Sequence, residues 1–190
     1  MVARCVRDYP VTAYKHVNTG GNIGVAAGNN AGIKLSLEDG CTHVLILNND
    51  IEMEQNYMFS RLVSLADEKG EAMIVPKIYY YGEKKLWKAG GYMDEWRALG
   101  VHYGMNKEDG PAFNVAKHCT YSPTCFMMIK KEVFEKVGIM DERYFAYYDD
   151  TDFVLRATRL GFRIFYDPTL VLLHKVSSSV GTNSPFYVYY

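Results

Sequence analysis

The chain has no long apolar run. Its apolar stretches, such as Val44 to Leu47 and Leu170 to Leu173, fall far short of the roughly 20 residues that a membrane-spanning helix needs. The N-terminus lacks a signal-like apolar region, so the sequence predicts a soluble chain. No basic block rises above Lys130-Lys131, and 21 Lys+Arg against 22 Asp+Glu leave a net charge of -1, which argues against a surface that tracks nucleic-acid phosphates. Paired cysteines are missing too. Cys5, Cys41, Cys119 and Cys125 form no Cys-x-x-Cys and no thiolate metal spacing, so thiolate zinc is excluded and a reducing, cytoplasmic location is expected. No Gly-x-Gly stands before a helix and there is no Walker sequence, which removes the dinucleotide fingerprint and the nucleoside-triphosphatase loop. Repeats, linkers and low-complexity tracts are absent as well.

What is present is a chain of 190 residues, enough for one domain with a real core. It carries 16 Tyr, 9 Phe and 2 Trp, side chains that fill cores and whose faces also suit the apolar C–H surfaces of sugar rings. Val11 to Val17 reads as a strand, followed by a glycine-rich bend over Asn18 to Gly24 and a helix to about Glu38, stopped by Gly40. Thr42 to Leu47 is a nearly continuous apolar run that ends in Asn48-Asn49-Asp50, as expected of a buried parallel strand with polar ligands at its C-terminal end. A helix over Gln55 to Lys69 and a strand over Glu71 to Pro76 follow. The middle, Tyr79 to Ala116, loses periodicity and reads as strands and loops over one end of the sheet. Order returns with a strand over Ser122 to Ile129, a short helix over Lys131 to Val137, an acidic helix ended by Gly161, and strands over Phe162 to Tyr166 and Leu170 to Leu173. The alternation predicts an α/β domain with a mainly parallel sheet flanked by helices.

Three places are candidates for chemistry. Asp149, Asp150 and Asp152 crowd three carboxylates into four positions at a helix start, where one or two acids serve as caps. Like charges this close raise at least one pKa, which is how a protein obtains a general base. Asn48-Asn49-Asp50 is an ordinary Asx turn or, at the end of a buried strand, an oxygen-donor corner for a hard divalent ion such as Mg²⁺ or Mn²⁺. His174, after an apolar strand, is a core histidine unless Asp50 lies beside it. In the first helical unit Gly20, Gly24, Gly28 and Gly32 recur every four positions; Gly28 and Gly32 read as close helix-on-sheet packing, whereas Asn22 and Gly24 stand at a helix entrance, where free N–H groups bind anions. Cys119 and Cys125 read as buried apolar fillers.

Taken in order, these segments resemble the inverting nucleotide-sugar glycosyltransferases of family two, in particular the rhamnosyltransferase-like branch. The family's Asn-x-Gly-Asn-x-Gly and Gly-Asn-Asn-x-Gly stretch is matched by Asn18 to Gly32. Its apolar strand ending in a relaxed Asn-x-Asp is matched by Leu45 to Asp50, and its Trp-x-x-Gly-Gly by Trp87 to Gly91. The block that ends in Glu-Asp-x-Asp is similar to Gly138 to Asp152. The closing Arg, Gly, Pro, His and Ser correspond to Arg156, Gly161, Pro168, His174 and Ser179.

The resemblance implies the GT-A fold, a nucleotide-diphospho-sugar donor, a glycan or lipid-linked acceptor, a divalent metal and inversion at the anomeric carbon. It places Asp50 and His174 on the metal, makes Asp150 the base and has Asp149 orient the acceptor. Asn18, Asn22, Gly24, Asn29, Asn48, Asn49, Trp87, Gly90 and Asp152 are then substrate contacts, with Asp152 also available to cap the helix or bind Arg156. A lipid-linked acceptor implies peripheral contact with the inner face of a membrane. Nothing before Asn18 matches the nucleoside-binding portion with which relatives begin, and relatives continue beyond Tyr190. A fragment or trimmed homologue is therefore expected, with an open sheet edge through which copies pair. A binding module without catalysis is the rival reading; a nucleotidyltransferase lacks its basic glycine-rich loop. All of this requires the acids near residue 150 and the Asn-Asn-Asp corner to face one crevice.

Overall fold

The computed structural model describes residues 14–175. Its first element is the helix α1 (Val25–Glu38), whose buried side chains Ala26, Asn30 and Ile33 fall on one face at helical spacing. Strands β1 (His43–Leu47) and β2 (Ile51–Glu52) follow, then α2 (Met58–Lys69) and β3 (Met73–Tyr80). Helix α2 buries Met58, Leu62, Leu65 and Ala66, a single stripe, and stops at Gly70 in the left-handed conformation. The middle of the chain holds β4 (Leu86–Lys88), β5 (Gly91–Asp94), β6 (Leu99–His102), a 3-10 turn at Pro111–Phe113 and β7 (Lys117–Cys119). The last elements are β8 (Phe126–Lys130), α3 (Lys131–Val137), α4 (Asp149–Arg159) and β9 (Ile164–His174).

The main sheet has the order β1-β8-β3-β9-β2, with β4 added to β3 and β7 to β9; β5 and β6 form a separate hairpin. Alternating side chains divide between two cores, as a pleated strand requires. Met73, Val75, Met127 and Ile129 face α1, α3 and α4, whereas Ile74, Ile78, Phe126 and Met128 face α2. Burying each large side chain of the α2 stripe stabilises the fold by roughly 1.5–3 kcal/mol.

The α/β class is as expected, but the sheet is mixed rather than mainly parallel. Among the described residues only β3 and β9 pair in parallel; β8 lies antiparallel between β1 and β3, so that β1 and β3 run the same way without touching. An apolar run records burial and not direction, which is why β8 was indistinguishable from its neighbours in sequence. For the same reason β1 is not the buried parallel strand expected: it ends the sheet among the described residues and pairs on one side alone, with β8. Residues 14–17 form no strand, and 11–13 lie outside the described residues. The two expected C-terminal strands are one, β9, carried through a bulge after Asp167. There the buried Asp167 carboxylate accepts hydrogen bonds from the Thr169 N–H, the Thr169 hydroxyl and Arg61.

Candidate functional site

The antiparallel pairing of β2 with the end of β9 sets Ile51 opposite His174 and so brings Asp50 beside that histidine. His174 Nε2 is 3.2 Å from Asp50 Oδ1. This is an ion-pair distance without hydrogen-bond alignment, and Asp50 Oδ1 and His174 Nδ1 are buried with no hydrogen-bond partner. Burial holds the His174 pKa below the ordinary histidine value against the opposing pull of Asp50.

From His174 an unbroken run of side chains leads to the acidic helix. The Trp87 ring meets His174 edge to face at 4.4 Å between centroids and meets His102 in the same manner at 4.8 Å. His102 stacks on Tyr121 at 5.9 Å, and the Tyr121 hydroxyl donates to Asp150 Oδ2 at 3.3 Å. Burial pushes the Cys125 thiol up to about 11, and the Asp150 and Asp50 charges add to the rise. Burial, with help from Lys88, pushes His102 down to about 4, so its imidazole is neutral at physiological pH. Its Nδ1 is another buried atom with no hydrogen-bond partner.

The acids differ from one another. Burial first, and the Asp150 charge second, push Asp149 up to about 6. Burial likewise raises Asp150, opposed by hydrogen bonds from Thr151 and Tyr121 and by the Lys88 charge. Just before them Tyr147 and Tyr148 both have positive φ, 61° and 60°. Two consecutive non-glycine residues in this region hold roughly 1–3 kcal/mol of strain each, the kind of geometry that collects beside functional groups. Asp152 faces away from this region. Its Oδ2 accepts from Arg156 Nε at 2.8 Å, and the same guanidinium donates to the Val137 and Ile139 carbonyls at the end of α3. Asp152 is thus part of an α3–α4 clasp.

The other expected contacts are distributed unevenly. Asn18 and Asn22 use their side-chain oxygens in local turns, accepting from the N–H groups of Gly20 and Gly24. The entrance of α1 is not open to an anion at its first amides, because the Gly24 N–H is held by Asn22 and the Val25 N–H donates to the Phe145 carbonyl at 2.8 Å. Gly24, with φ +89°, lies against Phe145 so closely that a Cβ would sit 2.7 Å from that carbonyl oxygen. The close packing expected of Gly28 and Gly32 belongs here instead, since both of those face open space. Asn29 turns to the Met140 sulfur. Asn48 and Asn49 are exposed beside Asp50, with the Asn48 N–H anchored on the Cys125 carbonyl at 2.8 Å. Gly90 is buried in the core, where a Cβ would meet Cys119 Sγ at 2.6 Å. Cys119 and Cys125 are buried free thiols, as expected. Ser179 lies outside the described residues.

Sequence reasoning missed Lys88, His102, Tyr121, Ser122 and Asn30. Asn30 is wholly buried in α1; its amide donates to the Met140 carbonyl and to Glu142, and its oxygen accepts the Met140 N–H, fixing the loop that leads to the acids. The visible signals among the five were a lysine within the apolar Leu86 to Ala89 segment and the place of Asn30 in the Gly-Asn-Asn-x-Gly stretch. An open cavity of about 650 Å³, lined among others by Tyr79, Lys84 and Asp109, shares no residue with the run from Asp50 to Asp150.

The family model described as Glycosyl transferase family 2 matches residues 11–138. The low-salt glycan biosynthesis hexosyltransferase Agl10 of Haloferax volcanii is 29% identical over 153 residues, 76% of this chain and 46% of that protein. The dTDP-rhamnosyl transferase RfbF of Shigella flexneri is 26% identical over 178 residues, 88% of this chain and 55% of that protein. The chain thus spans about half the length of these curated relatives. Among solved structures, GalNAc-T7 with UDP, GalNAc and Mn²⁺ shares the fold with a TM-score of 0.57 at 14% identity, over 80% of this chain and 30% of that one. A197 from STIV does so with a TM-score of 0.51 at 16% identity, over 78% and 66%.

Proposed function

The chain belongs to glycosyl transferase family 2 and has a GT-A-like fold, and from that premise we propose that it moves a hexose or rhamnose from a nucleotide diphosphate to a glycan or lipid-linked acceptor, with inversion. The observation that carries this reading is the continuous run Asp50, His174, Trp87, His102, Tyr121, Asp150. Asp150 takes the proton of the acceptor hydroxyl as the oxygen attacks the anomeric carbon and the bond to the diphosphate breaks. Tyr121 holds one oxygen of that carboxylate in place, and Asp149 orients the acceptor.

Asp50 and His174 fit a divalent ion. Their two donor atoms, 3.2 Å apart, are close enough to share one, the carboxylate oxygen has no competing donor, and a mixed oxygen and nitrogen set suits Mn²⁺ or Mg²⁺. Among the described residues no third His, Cys, Asp or Glu joins them, so water and the donor diphosphate would complete the shell. Such an ion would neutralise the charge that develops on the leaving diphosphate. Asn48 in place of an aspartate lowers the charge of the corner, and Asn49 and Trp87 border it.

The setting we infer is cytoplasmic, with the acceptor met at a membrane face; no helix among the described residues is long and apolar enough to cross a membrane. Calorimetric titration with uridine and thymidine diphosphates plus Mn²⁺, together with transfer assays on Asp150→Asn, tests the proposal. Heat of binding in both proteins and transfer in the unsubstituted one alone is the expected result. No heat at millimolar ligand would make the chain an acceptor-binding module, and transfer by Asp150→Asn would move the base elsewhere. Asp50→Ala should lose activity and metal dependence together, and undiminished activity in chelator would defeat the metal assignment.

A further inference from the structure

Lys88 ends β4 with its backbone fixed by the pairing of Ile78 with Lys88 and by the Ala89 N–H donating to the Tyr103 carbonyl. Its side chain has no exposed surface. The ammonium donates to the Ser122 hydroxyl at 2.5 Å, and Ser122 is itself wholly buried. A wholly buried cation is costly unless an opposite charge accompanies it, and a neutral hydroxyl does not supply one. Burial lowers the Lys88 pKa, and the groups whose fields oppose that loss of the proton are the Cys125 and Cys119 thiols and Asp150. Both thiols are pushed up by burial, Cys125 to about 11, and carry no charge at neutral pH. His102 is held neutral by burial as well. Asp150 is the remaining counter-charge.

The link is short in sequence as well as in space. Tyr121 donates to Asp150 and the adjacent Ser122 accepts from Lys88, so two consecutive residues hold both charges. We propose that Lys88 is the internal counter-ion of the Asp150 carboxylate, a positioning residue that acts through Tyr121 and Ser122 and never touches substrate. This rests on the reading of Asp150 as the base. Without the ammonium, Asp150 is faced by Asp149 and Thr151 on its own helix, by Tyr121 from the segment before β8 and by the neutral Cys125 thiol. None of these offers a positive charge, so the carboxyl keeps its proton to higher pH.

The test compares the unsubstituted protein with Lys88→Met, using ¹³C-carboxyl aspartate NMR with the Asp150 signal assigned through Asp150→Asn. The Asp150 titration should move up by about one pH unit or more. In transfer assays the acid limb of kcat/KM should move up by the same amount, with donor KM unchanged and lost turnover returning as the pH is raised. Lys88→Arg, which keeps the charge, should restore the limb. A folded Lys88→Met protein whose Asp150 titration and acid limb stay in place would overturn the counter-ion role. Transfer that survives Asp150→Asn would instead remove the base assignment, whatever Lys88 does. If Lys88→Met does not fold, the double variant Tyr121→Phe, Ser122→Ala breaks the bridge and keeps the cation. It should raise the Asp150 titration by a smaller amount, and no movement there would also count against the proposal.

Discussion

Asp149 and Asp150 are adjacent residues of one residue type, yet their surroundings give them different work. Asp149 is buried and titrates near 6, far above its unfolded value of 3.8, because water is excluded and Asp150 repels it. A carboxyl raised on folding favours the native state while protonated in both states, below about pH 4, and that advantage is lost as the pH rises through about 6. Asp149→Asn should therefore be more stable than the unsubstituted protein at pH 7.5, by up to about 2 kcal/mol. The difference should close between pH 6 and 4. Urea denaturation at several pH values checks this, and a difference independent of pH would show that Asp149 does not titrate as described. Asp152, three positions from Asp149, belongs to a clasp with Arg156. The residue spacing admitted that role beside a substrate contact, and the side-chain direction shows the clasp.

At the scale of elements, the site is assembled where strand ends and helix starts meet. Gly24 at the entrance of α1 lets the Phe145 carbonyl approach and accept the Val25 N–H, and Asn30 further along the helix grips the Met140 backbone. Together they fix the segment that delivers Asp149 and Asp150 to α4. Gly24→Ala should cost about 2 kcal/mol or more, since the alanine would carry both a left-handed backbone and a clash with main-chain atoms that cannot rotate away. Thermal denaturation reads the loss, and donor binding at the Asp50 corner should be affected less than turnover. An alanine tolerated without loss of stability would show that the Phe145 approach is not structurally required. The glycine repeat was visible in sequence, but its periodicity pointed to Gly28 and Gly32, which face open space. Spacing identifies which residues share a helical face; it does not say what the face meets.

For the whole molecule, the open feature is β1, which ends the main sheet among the described residues and pairs with β8 on one side alone. We infer that copies of the chain associate through this edge, because a strand edge that no other described strand covers is a template for another strand. Leu47, at the end of β1, is exposed and adds an apolar contact. Light scattering should show concentration-dependent association that Leu47→Lys weakens. A monodisperse monomer at high concentration would remove this inference.

Period and composition by themselves determined that this chain alternates helices with strands, that its polar Asn48 to Asp50 corner ends an apolar strand and that its acids begin a helix. Each of these follows from local side-chain patterning, which survives in a one-dimensional record. The direction of β8, the edge position of β1, the pairing of Asp50 with His174 and the presence of Lys88 behind Asp150 were decided by tertiary structure. Strand direction depends on how the intervening chain crosses the sheet. The worth of a buried charge depends on which opposite charge packing brings near, and here that partner is 62 positions away in sequence.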